Sequence, residues 1–190
     1  MANVTRRTFV ERAVNASILS LPYVLPTGTV LLTPRQARAK PVPLHHLEAG
    51  QAARLEKLAE AMVPGSTAAG LTHFIDHQLG VDPSDALLIA KYFQVALPYS
   101  EFYTSGTKVV DHLARKALGR GIDGLDPAGM TALIKSISTP GTAEEGFPIF
   151  VFYLCLRSDA VDVVYGTPEG FKELNIPYMQ HIMPPEGWDG

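Results

Sequence analysis

The sequence predicts an all-α fold: a single small helical domain, preceded by a signal peptide and finished by an irregular, turn-rich C-terminal tail. Three observations predict it. Apolar residues recur at i, i+3, i+4 and i+7 through several stretches, and no convincing run of period-two alternation appears. Pro and Gly punctuate the chain from Gly166 onward, at Gly166, Pro168, Gly170, Pro177, Pro184, Pro185 and Gly187. At 190 residues, 46% hydrophobic and 18% charged, the chain suits one globular domain rather than a disordered or fibrous one.

The charge is uneven. Residues 1–39 hold five arginines (Arg6, Arg7, Arg12, Arg35, Arg38) and one acid, Glu11. That leaves 11 of the 16 basic and 18 of the 19 acidic residues in 40–190, a net of −7. Such a balance argues against a surface that wraps nucleic acid. Arg6-Arg7 and Phe9 precede a moderately apolar stretch from Ala13 to Leu32, and Ala37-Arg38-Ala39 supplies small residues in the A-x-A pattern of a signal-peptidase site. Residues 1–39 are therefore expected to be an export signal of the twin-arginine type, an address rather than an anchor. The competing reading, a retained membrane helix, is opposed by Asn15, Pro22, Pro26 and Gly28, which interrupt the apolar stretch. Twin-arginine export carries proteins that are already folded, commonly because they or a partner acquire a cofactor in the cytoplasm.

The remainder, 40–190, is expected to form the helical domain, with 166–190 as its irregular tail. Leu55, Leu58, Ala59, Met62 and Val63 form a helical stripe that ends before Pro64-Gly65. Leu71, Phe74, Ile75 and Leu79 repeat the spacing in a second helix ended by Gly80. A third is expected after Ser84-Asp85, with Leu87, Leu88, Tyr92, Val95 and Ala96 on its apolar side, stopping at Pro98. A fourth spans about Thr107 to Leu118. A fifth starts with Asp126 as cap and Pro127 in the first turn, where a missing N–H costs little. Phe147 to Leu156 carries no charge and is too short to cross a bilayer, so it reads as a buried core helix. Pro148 suits its start and Arg157 suits its C-terminal end, and a helical pattern continues from Asp159 to Tyr165. The tail cannot form a core alone and is expected to lie across this domain or a partner.

The chemistry-bearing patterns are sparse. Gly119-Arg120-Gly121-Ile122-Asp123-Gly124 matches G-x-G-x-x-G, but it follows a helix, whereas the dinucleotide fingerprint follows a strand. Gly119 reads as a helix-terminating glycine. His73 and His77 stand one helical turn apart and could share a metal, with Asp76 between them, yet Phe74 replaces the glutamate of the metalloprotease pattern and no third ligand follows by spacing. Glu144 and Glu145 precede a helix start, where negative charge is favourable. Cys155, the one cysteine, excludes a disulfide framework and cysteine-rich zinc sites. It reads either as a small buried hydrophobe or as a bridge to another chain. The expected site set therefore contains no catalytic, cofactor-binding or metal residue.

Several segments converge on one family. Leu58 to Gly65 (LAEAMVPG), Phe74-Ile75-Asp76, Gly146-Phe147-Pro148, Val163 through Phe171, Ile176-Pro177-Tyr178 and Pro184 to Trp188, behind a twin-arginine leader, resemble the small-subunit family of gluconate 2-dehydrogenase, its subunit 3. The likeness covers nearly the whole chain and is most specific in the tail. It implies a non-catalytic partner of a large flavoprotein of the glucose-methanol-choline type, which oxidises a sugar, sugar acid or polyol with bound FAD. It also implies a possible third subunit, a multihaem cytochrome c that holds the complex at the periplasmic membrane. The small subunit would carry the export signal through the twin-arginine translocase and assist the flavoprotein's folding or stability in a chaperone-like way. Many relatives have a double glycine and asparagine after the tyrosine-glycine pair. Gly166-Thr167-Pro168-Glu169-Gly170 departs from this and leans toward a branch serving glucose or polyol dehydrogenases.

On this reading the export signal rests on Arg6, Arg7, Phe9, Ala37 and Ala39. The partner-contact candidates are Phe150, Cys155, Tyr165, Phe171, Tyr178 and Trp188, large aromatics near turns and the lone thiol. The alternatives are an autonomous periplasmic metal enzyme built on His73 and His77, and a free-standing binding module.

Overall fold

The computed structural model describes residues 20–26, 28–144 and 146–175. Among them, eight α-helices accompany one two-stranded sheet. In chain order these are β1 (Leu21–Leu25), β2 (Gly28–Leu32), α1 (Pro34–Ala39), α2 (Ala49–Met62), α3 (Ser66–Ala69), α4 (Leu71–Leu79), α5 (Tyr99–Leu118), α6 (Pro127–Ile137), α7 (Ile149–Tyr165) and α8 (Pro168–Glu173). Two short 3₁₀ turns, Ile89–Lys91 and Ile122–Gly124, sit in the connections that flank α5.

α7 is the hub, packing against α2 through α6 and against α8. The uncharged run explains this, since a helix apolar on most sides is stable only when surrounded. Ile149, Phe152, Cys155, Leu156, Ala160 and Val163 are all buried on it. α5 approaches it closely at Gly106, where a Cβ would lie 2.2 Å from the Phe152 ring. Phe102, Tyr103, Phe147 and Phe152 form an aromatic cluster at that crossing, with ring centroids 5.5 to 6.4 Å apart. Leu55, Leu58 and Ala59 of α2 and Leu71, Phe74 and Ile75 of α4 complete the core.

The helix boundaries follow local chemistry. α6 is capped by the Asp126 carboxylate, which accepts from Gly129 N at 2.7 Å. α5 ends at Gly119, in the left-handed conformation with φ +73°. α3, unforeseen in the sequence, is held by Glu60, whose carboxylate accepts from Gly65 N at 2.7 Å and Thr67 N at 2.9 Å. α5 also begins earlier than expected, at Tyr99 rather than near Thr107, and Arg157 lies within α7 rather than at its end.

Three larger differences have physical causes. The stretch assigned to the apolar leader contains a β-hairpin, paired from Leu21↔Leu32 to Leu25↔Gly28. Its alternation is real: Leu21 and Tyr23 are buried while Pro22 and Val24 are exposed. It escaped notice because the outward residues are themselves apolar. The third expected helix does not exist as an α-helix. Residues 81–98 form a connection with one 3₁₀ turn, because Leu88 and Ala90 point inward while Leu87, Tyr92 and Phe93 point outward, a pattern no single helical face supplies. The tail is more regular than expected, since Thr167 caps α8 by accepting from Gly170 N at 3.1 Å.

One hydrophobic core runs from the hairpin to α7 and includes Leu21, Tyr23, Leu32, Ala37 and Val42 beside the helical residues. No described helix is long and apolar enough to cross a membrane.

Candidate functional site

The densest polar construction centres on α4. Asp76, buried on this helix, accepts three consecutive backbone amides, from His45 (2.8 Å), His46 (2.7 Å) and Leu47 (2.8 Å). Three charge-assisted bonds to one carboxylate make it a strong fixed point for the chain entering α2. One turn before it, His73 Nε2 donates to the Val42 carbonyl at 3.1 Å, and in the next position His77 Nε2 donates to the Pro22 carbonyl at 3.2 Å. Tyr23 answers by donating its hydroxyl to the His73 carbonyl at 3.1 Å and by packing edge-on against the His77 ring at 5.2 Å. Burial lowers the pKa of both imidazoles below the ordinary 6.5 and raises that of Tyr23.

This arrangement overturns the metal reading of His73 and His77. Each Nε2 is committed to a different backbone carbonyl, and Asp76 is saturated with amides, so the three groups do not converge on one point. No cluster of three or more potential ligands occurs among the described residues. The His-x-x-x-His spacing serves instead to bind two points of the N-terminal segment.

A second polar group lies inside the core. Asp159 on α7 is fully buried, accepts from Ile89 N at 2.9 Å and receives the Tyr103 hydroxyl. Burial pushes its carboxyl up to about 7. Cys155, one turn earlier, is also fully buried, with its thiol pushed up to about 12 by burial and by Asp159. It therefore behaves as a small core hydrophobe and presents no atom to a partner, which removes it from the contact candidates and disposes of the interchain bridge.

The G-x-G-x-x-G match is a structural connection. Asp111 accepts from Ile122 N at 2.7 Å, and Arg54 pairs with Asp123 at 2.9 Å. Neither bond leaves the loop arranged around a phosphate, and the element that runs into it is helix α5 rather than a strand.

Of the other contact candidates, Phe150, Tyr165 and Phe171 are half-buried, and Phe150 stacks on Tyr153 at 6.3 Å. Tyr178 and Trp188, like Arg6, Arg7 and Phe9 of the export signal, lie outside the described residues. Ala37 and Ala39 lie in α1, with Ala37 wholly buried.

Sequence reasoning missed an exposed apolar segment. Along 81–98, Leu87, Tyr92, Phe93 and Leu97 face solvent, Tyr92 being 72% exposed. Assigning them to a helical stripe concealed them, and the flanking Asp82, Asp85 and Pro98 were the available signal that this stretch is a loop. Large apolar side chains held outward along one connection are a feature of interaction surfaces.

A family model described as gluconate 2-dehydrogenase subunit 3 matches residues 49–183, from the start of α2 into the tail. No curated protein and no solved structure matches the chain.

Proposed function

From the chain's membership of the gluconate 2-dehydrogenase subunit 3 family, and hence among subunits of a dehydrogenase complex, we propose that it is the non-catalytic small subunit of an FAD-dependent sugar or polyol dehydrogenase. In this reading Arg6 and Arg7 supply a twin-arginine address for a large flavoprotein that folds and loads FAD in the cytoplasm. The body binds that flavoprotein, stabilises it, and crosses with it to the periplasm, where a cytochrome c subunit receives its electrons. The family match from the start of α2 into the tail carries the proposal. The polar groups support it: Asp76, His73, His77, Asp111 and Asp159 are all engaged in holding backbone or side chains of this fold.

The contact with the flavoprotein is assigned to the exposed apolar loop carrying Leu87, Tyr92, Phe93 and Leu97, together with the half-buried aromatics Phe150, Tyr165 and Phe171. Changing Arg6 and Arg7 together to Lys should leave the dehydrogenase activity in the cytoplasm when cells are fractionated. A flavoprotein that still reaches the periplasm removes the carrier role.

A further inference from the structure

We infer that residues 21–42 are a permanent strap of the mature fold, and that the Ala39–Lys40 bond is not the place where an export signal is removed from the folded chain. The inference rests on the export reading for there being a signal to remove and for the chain being folded when a peptidase meets it. The strap itself stands on contacts within this chain.

A signal peptidase binds the residues before the scissile bond in extended form, with small side chains entering its pockets. In this structure Ala37, Arg38 and Ala39 form the last turn of α1, where Ala37 N donates to Thr33 O at 2.8 Å and Lys40 N donates to Gln36 O at 3.0 Å. Ala37, the small residue two positions before Ala39 that the peptidase must also bind, is 0% exposed. α1 is itself well defined by a reciprocal capping box between Thr33 and Gln36. Presenting the bond requires unwinding this helix and withdrawing Ala37 from the core.

The strap is also fastened on both sides of α1. Before it, Leu21, Tyr23 and Leu32 are buried, Tyr23 bonds to the His73 carbonyl and Pro22 receives His77. After it, Val42 receives His73, and Asp76 holds the next three amides that follow Leu44. At α1 itself, Arg38 pairs with Glu56 of α2, whose carboxylate also accepts the Thr72 hydroxyl at 2.7 Å. The backbone of α1 meets Gly70 so closely that a Cβ there would lie 2.1 Å from the Pro34 carbonyl oxygen. Gly70, with φ +84°, begins α4 inside the matched region, so the body is shaped to receive this helix. Because the proposed export route moves a folded chain, these contacts form before a periplasmic peptidase meets it. Tolerance of a cut follows burial and hydrogen bonding of the backbone rather than position in the sequence.

Two measurements test the strap. Intact mass and N-terminal sequencing of the small subunit recovered from the periplasmic complex should find a chain that still contains residues 21–39, and a chain beginning at Lys40 overturns the inference. Separately, amide hydrogen exchange on the full-length protein held in the cytoplasm should show the amides of Ala37, Lys40 and Val42 protected at least 100-fold over an unstructured peptide. Exchange at the unstructured rate overturns it as well. Failure of the export reading would register instead in the fractionation of the double Lys variant, which neither measurement uses.

Discussion

Two regions outside the long helices lie on the same helical core, and they are fastened in different ways. The N-terminal segment 21–47 is held to α4 by six polar bonds spread over its length, together with buried Leu21, Tyr23, Leu32, Ala37 and Val42. The 81–98 connection is held through Leu88 and Ala90, by the Gln78 side chain accepting Leu87 N at 2.8 Å, and by Asp159 accepting Ile89 N. The first region buries Leu21, Tyr23, Leu32, Ala37, Val42 and Leu47 and exposes Val24, Val30 and Leu31 on the hairpin, whereas the second buries Ala86, Leu88 and Ala90 and leaves Leu87, Tyr92, Phe93 and Leu97 in solvent. Distributed fastening marks a segment that belongs to the fold. A loop pinned over a few central residues presents a surface to either side of them.

The largest expected effect comes from removing the anchor of the first region. Asp76→Ala leaves three amides without their acceptor and should cost about 3 kcal/mol, read as a lowered denaturant midpoint. Asp76→Asn, which keeps one carbonyl oxygen, should cost less. If Asp76→Ala proves neutral, the N-terminal segment is no better fastened than the loop.

The corresponding change in the second region is smaller. Asp159→Ala should cost about 2 kcal/mol by orphaning the Ile89 amide and the Tyr103 hydroxyl, whereas Asp159→Asn retains acceptors for both and should stay within about 1 kcal/mol of the parent. Equal losses from Ala and Asn would show that charge rather than hydrogen bonding holds the loop.

Acid should separate the regions by sign. The imidazoles of His73 and His77 titrate below their ordinary 6.5 in the fold because burial disfavours their charge. The stability they lend is therefore present above 6.5 and lost as pH falls through the lowered folded values. Asp159 is the reverse, since burial raises its carboxyl from 3.8 to about 7. Its contribution is fully present below 3.8 and lost as pH rises through about 7. Between pH 7 and pH 5 the His45, His46 and Leu47 amides should lose protection while the Ile89 amide gains it, in hydrogen exchange corrected for intrinsic rates. Asp159→Asn should abolish the second trend and leave the first.

The smallest stability effect is expected at the exposed side chains. Tyr92→Ser with Phe93→Ser should shift stability by less than about 0.5 kcal/mol, yet reduce the flavin absorbance that co-purifies with the small subunit. Full retention of flavin would move the contact elsewhere.

Helical periodicity was legible because α2, α4 and the core of α7 place their apolar residues by local rules, and Asp126, Pro127 and Gly119 terminate helices for local reasons. The 81–98 loop was misread because its apolar residues satisfy a helical count without sharing a helical environment. His73 and His77 were read as possible ligands because their spacing is local, while the carbonyls they meet lie 31 and 55 residues away in sequence.

The sequence by itself determined the helical class, the charge division near Ala39, the buried character of Phe147 to Leu156, and the family likeness that the match over 49–183 bears out. All of these depend on composition, short-range spacing or motif, which the chain carries in one dimension. Only the tertiary structure decided that Leu21 to Leu32 pair as a hairpin, that Ala37 lies in the core, that Cys155 is sealed, and that α4 fastens the N-terminal segment. Each of these depends on which residues distant in sequence meet, and that is settled only when the helices pack and buried polar groups are brought to their partners.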